Sequence, residues 1–115
     1  MDTLKGGFLM NREFKGIWIP REIWLSKKLT INEKFFLAEI DSPDNEEGCF
    51  ANNAYFANFF QLSKSRVSQI INSLGKKGFI DITFIYKENS QEIEKRIIRI
   101  NKAEYFNLLN NSEDT

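Results

Sequence analysis

The chain has 115 residues, of which 42% are hydrophobic, which suits one domain with a modest core and is too short for two comfortable ones. Its 16 basic and 16 acidic residues cancel, so it lacks the strongly basic balance that makes nucleic-acid binding easy to recognise. It contains no histidine and a single cysteine, Cys49. An internal disulfide, the common zinc sites and histidine-dependent catalysis are therefore excluded.

Further absences narrow the class of protein. The first residues, MDTLKGGF, do not resemble a secretory signal, and no apolar run approaches the roughly 18 residues of a membrane span. No phosphate-binding GxxxxGK[ST] loop is present. We therefore expect a cytoplasmic protein that is not an enzyme, requires no cofactor or metal, and has neither a small-molecule substrate nor a membrane partner. Cys49 is expected to be a buried small residue rather than a nucleophile.

The N-terminal third predicts two helices. Residues 1–13 are expected to be flexible, residues 14–101 to form the domain, and residues 102–115 to form a C-terminal helix and tail. Pro20 can open a short helix that continues to about Lys27. Thr30 and Glu33 have the spacing of a capping box for a second helix near residues 32–41. Trp18 and Trp24 are expected to cover the core.

An acidic loop follows the second predicted helix. SPDNEEG is dense in turn formers, and Cys49 to Ala51 can make a brief strand before Asn52 or Asn53 caps the next helix. The acidic residues in this region are Glu39, Asp41, Asp44, Glu46 and Glu47. Residues 63–78 contain only basic charges, so we expect the molecule to be electrically two-sided.

Residues 53–72 have the pattern of a helix-turn-helix. Phe56 would lie one turn before Phe60, Ala57 would allow a second helix to cross closely, and Leu62 would fill the turn. Ser63 can cap the second helix. The buried stripe of that helix recurs at helical spacing through Val67, Ile70, Ile71 and Leu74.

The opposite face of this helix carries hydrogen-bonding side chains and no carboxylate, as expected for a helix that enters the major groove of double-stranded DNA. The predicted DNA-binding residues there are Ser63, Lys64, Ser65, Arg66, Ser68, Gln69 and Asn72, followed by Lys76 and Lys77. Gly78 is expected to end the helix, whereas Gly75 could end it one turn earlier.

Two strands should follow as a hairpin, or wing. Residues 79–86 alternate, with Ile80, Ile82 and Phe84 on one face, and residues 93–100 mirror them across the turn KENSQE. Lys87, Lys95 and Arg96 are predicted to protrude and to contact the DNA backbone or minor groove. Cross-strand ion pairing is an equal alternative, because Glu88, Glu92 and Glu94 are interleaved with them.

The phenylalanines could be read as stacking platforms for single-stranded nucleic acid. The cluster comprises Phe35, Phe36, Phe56, Phe59 and Phe60. Its spacing is helical and its faces converge on Val67 and Leu74, so we interpret it as core.

The order of the three longer predicted helices and the hairpin predicts an α+β winged helix-turn-helix with a short C-terminal helix. Over roughly residues 14–100, the segments FKGIWIPREIWLSKKLTINEKFFLAEIDS and GCFANNAYFANFFQLSKSRVSQIINSLGKKGFI resemble the N-terminal DNA-binding domains of replication initiators and replisome organisers from phages and plasmids of low-GC bacteria. The resemblance implies that residues 63–77 read origin repeats and that a later domain recruits the helicase loader. The sequence departs from that pattern at Gln61, where glycine is most common, and at Gly75.

The leading functional hypothesis is sequence-specific binding of double-stranded DNA in replication initiation. The alternatives are a small transcriptional regulator and a noncatalytic protein-interaction module. Residues 103–109 carry more apolar surface than one side of a terminal helix can bury, so we expect this helix to pair two chains or to dock on a following domain. The chain would then be either part of a longer protein or a protein that acts alone.

Overall fold

The computed structural model describes residues 16–42, 45–104 and 107. The elements are α1 Arg21–Leu25, α2 Ile31–Ile40, α3 Asn53–Phe60, α4 Lys64–Lys76, β1 Ile80–Tyr86 and β2 Ile93–Ile100. α3 and α4 are joined by a short turn, and β1 and β2 form an antiparallel hairpin directly after α4. This arrangement confirms the predicted α+β winged helix-turn-helix.

The three longer helices, α2, α3 and α4, begin where the sequence provides capping side chains. The Thr30 hydroxyl accepts a hydrogen bond from the Glu33 amide, and the Glu33 carboxylate accepts one from the Thr30 amide, so the predicted capping box is present. Asn52 caps α3, since its side chain accepts from the Tyr55 amide at 2.9 Å. Each cap satisfies an amide that has no partner within its helix.

α4 does not end early at Gly75. It continues to Lys76, and Gly78 follows with φ +85°, a left-handed conformation that glycine adopts cheaply. A Cβ at Gly75 would meet the Ile82 side chain at 3.8 Å, an ordinary van der Waals distance. The prediction that Gly78 ends the helix is confirmed, and the alternative of an earlier end at Gly75 is wrong, because Gly75 keeps helical backbone geometry.

The turn between α3 and α4 places Gln61 in the left-handed region, with φ 59° and ψ 50°. A side chain in this conformation brings its Cβ close to the following carbonyl oxygen. Gln61 therefore adopts, at an energetic cost, the backbone conformation that glycine would adopt easily at this turn position.

Gln61→Gly should therefore stabilise the protein. We expect the free energy of unfolding to rise by about 0.5–1 kcal/mol, since relief of the left-handed strain exceeds the extra entropy that glycine gives the unfolded chain. Urea denaturation of the wild type and the variant measures the difference. A variant less stable than the wild type would show that contacts of the Gln61 side chain stabilise the folded protein by more than its left-handed backbone destabilises it.

Aromatic and aliphatic side chains from all the longer elements meet in one core. Phe36, Phe56, Val67, Leu74 and Ile98 are fully buried. The Phe36 ring stacks on Phe56 at 5.2 Å and on Phe60 at 4.6 Å between centroids. These contacts confirm that the phenylalanine cluster is mainly core.

The two tryptophans are not core residues. Trp18 is 91% exposed and Trp24 is 44% exposed, so the prediction that they cover the core is wrong. Residues 16–20 lie outside any helix or strand and alternate between exposed and half-buried, so that Ile19 packs on the core while Trp18 faces outward. In the five-residue helix α1, only Ile23 is buried.

The hairpin packs on the helices at its base and projects beyond them at its tip. Ile80 pairs with Ile100 and Ile82 with Ile98, but the register shifts between Ile85 and Tyr86. Phe84 lies on the same face of the hairpin as Ile80 and Ile82, as predicted, but it is 46% exposed. The alternation continues along the strand, but the core does not extend beneath it.

Cys49 joins the sheet through a single bridge rather than a full strand. Its amide and carbonyl exchange hydrogen bonds with Ile98, at N···O distances of 2.7 and 2.8 Å. Cys49 is buried as expected, and burial raises the pKa of its thiol. Of the strand predicted at residues 49–51, only Cys49 pairs with the sheet.

The acidic surface is smaller than expected. Glu39 is 2% exposed, and its carboxylate accepts a hydrogen bond from the Tyr55 hydroxyl at 2.6 Å. Asp44 lies outside the described residues. Among the described residues, no cluster of acidic or cysteine side chains could hold a metal ion.

The C-terminal helix is described only in part. Residues 102–104 and 107 are helical, and the rest of the predicted segment lies outside the described residues. Across the part of the chain that the structure describes, no helix is both long and apolar enough to span a membrane.

Candidate nucleic-acid interface

α4 has one buried face and one open polar face. Val67, Ile70, Ile71 and Leu74 are buried against the core. On the opposite side Ser68 is half-buried, and the exposed residues are Ser63, Lys64, Ser65, Arg66, Gln69, Asn72 and Lys76. The structure therefore gathers most of the predicted DNA-binding side chains on one helix surface that is free of carboxylates.

The first turn of α4 combines a cap with two cations. The Ser63 hydroxyl accepts a hydrogen bond from the Arg66 amide at 3.0 Å, while Lys64 and Arg66 project outward. Cations at a helix N-terminus oppose the positive end of the helix dipole. A phosphate at this end would be attracted by both the dipole and the side chains.

Arg66 and Gln69 are ordered by contact with each other. The Arg66 guanidinium donates to the Gln69 Oε1 atom at 3.1 Å. A carboxamide oxygen has two acceptor positions, so Gln69 can keep this bond while its amide group contacts a base. The pair presents guanidinium and carboxamide groups, which suit guanine and adenine respectively.

Lys77 differs from Lys76 although the two are adjacent. Its Nζ atom lies 2.7 Å from Glu33 Oε1 and donates to the Lys28 carbonyl at 2.8 Å. Lys76 is exposed, with no ion pair among the described residues. Lys77 therefore links α4 to α2, a role that the sequence did not reveal.

Glu33 is the centre of this link. Besides Lys77 it accepts hydrogen bonds from the Thr30 amide and from the Ser73 hydroxyl. Burial would raise the pKa of Glu33, but the hydrogen bonds and the Lys77 charge outweigh it and lower that pKa. The capping-box position was the one sequence signal that Glu33 is structurally fixed.

The predicted wing cations are engaged with the protein itself. Lys87 forms an ion pair with Glu92 at 3.0 Å, and the Lys95 ammonium lies 5.4 Å from the centre of the Phe50 ring. Both lysines remain exposed. The ion pair between Lys87 and Glu92 agrees with the alternative reading of the wing.

Arg96 does not protrude. It is half-buried, and its guanidinium donates to Asn53 Oδ1 at 2.7 Å and to the Ala51 carbonyl at 2.8 Å. The expectation that Arg96 projects from the wing is wrong, because its strand position places it against the segment that leads into α3. Arg96 instead fastens the wing to the helices.

Comparison with known families identifies the central part of the chain. Residues 27–80 match a family model described as a helix-turn-helix domain. The matched segment contains the helix-turn-helix that α3 and α4 form in the structure. The match covers α2, α3 and α4 and ends at the first residue of β1. Neither the comparison with curated proteins nor that with solved structures gave a match.

Within the helix-turn-helix domain, α3 and α4 occupy the positions of the motif's two helices. The second helix of such a motif is the one that enters the major groove. In this chain the second helix is α4, whose exposed face carries the hydrogen-bonding residues described above. The family match and the surface chemistry of α4 therefore agree.

Proposed function

We propose that the protein binds double-stranded DNA sequence-specifically by inserting α4 into the major groove. The observation that carries the proposal is the open face of α4, which has hydrogen-bonding and basic side chains and no carboxylate. Phosphates repel carboxylates, whereas a solvated helix face usually mixes both charges.

The exposed residues divide into two roles. Gln69 and Asn72 have carboxamides suited to reading adenine, and Arg66 has a guanidinium suited to guanine. Lys64 and Lys76, near the two ends of α4, suit the phosphates on either side of the groove. Lys77 and Arg96 hold elements of the domain together rather than contact DNA. Lys87 and Lys95 contribute less to DNA binding than the residues of α4.

The biological role that we propose is recognition of origin repeats during replication initiation by a phage or plasmid. Its support is the resemblance of residues 14–100 to the DNA-binding domains of such initiators. A small transcriptional regulator is the second candidate, favoured by the general use of helix-turn-helix domains to bind operators. If the protein is a replication initiator, we expect several copies of its binding site within one origin. If it is a transcriptional regulator, we expect an operator beside a promoter.

The variants Gln69→Ala and Asn72→Ala should separate base reading from anchoring. Each should reduce discrimination between the selected site and a site with one changed base pair by about 1–3 kcal/mol, since a bidentate base contact is lost. Lys76→Ala is the control, because loss of a phosphate contact weakens binding to all sequences equally. Site selection from a random duplex library, followed by titration of the selected site, provides the measurement.

Full discrimination in both carboxamide variants would place the reading face elsewhere on the domain. A protein-interaction module, the third candidate, would bind no duplex DNA at all. Titration of a random duplex at low ionic strength tests that possibility directly, because non-specific binding needs only the phosphate contacts.

A further inference from the structure

Two apolar patches outside the DNA-binding face remain exposed. The first lies on α1 and α2 and consists of Arg21, Trp24, Ile31, Lys34 and Phe35; we refer to it as the helical patch. Trp24 is 44% and Ile31 54% exposed. The Trp24 and Phe35 rings lie 6.3 Å apart, and the Lys34 ammonium lies 5.2 Å from the Trp24 ring.

The charges of the helical patch are positive. Arg21 is exposed, lies one turn before Trp24, and makes no ion pair among the described residues. Ile31 and Phe35 are four residues apart on α2 and therefore share one helix face. The helical patch is thus an apolar surface bordered by basic groups.

The second patch is at the tip of the hairpin and consists of Phe84, Tyr86, Glu88, Ile93 and Glu94; we refer to it as the wing patch. Its three apolar side chains are 46–51% exposed. Tyr86 lies two residues beyond Phe84 and pairs directly with Ile93, so the three share one face of the sheet.

The charges of the wing patch are negative. The nearby Lys87 is paired with Glu92. Glu88 and Glu94 are exposed and have no ion-pair partner within the described part of the chain. Arg96 pairs with Phe84 in the hairpin, but its guanidinium is half-buried and bound to Asn53 and to the Ala51 carbonyl. The wing patch is thus an apolar surface bordered by carboxylates, which makes it a poor surface for contact with phosphates.

We propose that the helical patch of one molecule binds the wing patch of a second copy, head to tail. Each patch combines exposed aromatic and aliphatic side chains with charge of one sign, and the two signs are opposite. Complementary charge around an apolar centre favours this pairing, whereas pairing of either patch with itself would bring like charges together. A head-to-tail contact leaves one patch free at each end, so further copies can add.

The proposed contact involves few side chains and is small beside a standard interface, so its affinity in solution is weak. Copies held side by side on neighbouring DNA repeats would experience a high effective concentration of one another. The proposed contact depends on the two patches alone, so it does not depend on the proposed DNA-binding function.

Charge exchange provides the test. Arg21→Glu makes the helical patch less basic, and the double variant Glu88→Lys/Glu94→Lys makes the wing patch basic. Matched controls are Lys27→Glu and Glu46→Lys/Glu47→Lys, which change the same charges at exposed positions outside both patches. Sedimentation equilibrium of the full chain over a wide concentration range at low salt measures self-association.

We expect the wild type to self-associate, each patch variant alone to associate at least about tenfold more weakly, and the controls to match the wild type. An equimolar mixture of the two patch variants should regain association, because the unchanged helical patch of the wing-patch variant can bind the unchanged wing patch of the Arg21→Glu variant. A monomeric wild type, unaffected patch variants, or a mixture that fails to associate would each overturn the proposal. Absence of duplex binding by the wild type would overturn the proposed function and leave this interface standing.

Discussion

Lys77→Met is expected to lower the free energy of unfolding by about 2–3 kcal/mol. The substitution leaves the Glu33 carboxylate buried, with 3% exposure, and without its cationic partner. Removing one member of a buried ion pair is costly because the remaining charge has lost its compensation, and the 36% exposure of Lys77 reduces the effect from its full value. Chemical denaturation monitored by circular dichroism measures the change.

Two variants serve as controls for Lys77→Met. Lys76→Met changes the same charge on the next residue, which is exposed, and should alter stability by less than about 0.5 kcal/mol. Glu33→Gln should be less harmful than Lys77→Met, because it removes the buried charge and can retain the hydrogen bond from the Thr30 amide. Equal stability of the Lys76 and Lys77 variants would contradict the structural role of Lys77.

The pH dependence of stability gives an independent readout of the Glu33 site. The pKa of Glu33 is lowered from its ordinary value of 4.5, so its contribution is complete above pH 4.5 and is lost as the pH falls through the lower value of the folded state. Without Lys77, the main cation that lowers the pKa is gone and burial raises it. The stability difference between the wild type and Lys77→Met should therefore shrink on acidification.

The second large effect concerns DNA affinity. The logarithm of the binding constant should fall with the logarithm of the salt concentration with a slope of about −3 to −5, as expected for three to five neutralised phosphates per domain. In the triple variant Lys64→Ala/Arg66→Ala/Lys76→Ala the slope should be shallower by about 2 to 3, and affinity at low salt should drop about 100-fold or more. Fluorescence anisotropy of a labelled duplex gives both quantities.

A second triple variant separates local contacts from net charge. Lys27→Ala/Lys28→Ala/Lys102→Ala removes three charges from exposed positions outside α4 and outside the helical and wing patches. Charges farther from the DNA than about 10 Å are largely screened at 0.1 M salt, so this variant should keep most of the slope. If both triple variants lost the slope equally, binding would depend on overall charge rather than on α4.

The sequence predicted those parts of the fold that depend on neighbouring residues. The capping box at Thr30, the caps of α3 and α4, and the buried stripe of α4 are written in spacings of three or four residues. Gln61 was singled out instead by the family resemblance, in which glycine is most common at that turn position, and its φ of 59° gives the physical reason.

The errors have a common physical origin in contacts between distant parts of the chain. The link from Lys77 to Glu33 joins residues 44 positions apart, and the bond from Arg96 to Asn53 joins residues 43 apart. No local spacing reports such pairs. Trp18 was misplaced because hydrophobicity alone does not show where the core ends.

The contacts of Arg96 have a mechanical consequence for the wing. Its two hydrogen bonds, together with the two that Cys49 exchanges with Ile98, join the hairpin to the segment leading into α3. Swinging the hairpin away from the helices would break all of them at once. The hairpin is therefore not a hinged arm that closes around a ligand. The angle between the hairpin and the helices is set during folding. A partner that contacts both therefore binds a preformed surface, and little conformational entropy is lost in aligning the hairpin with the helices.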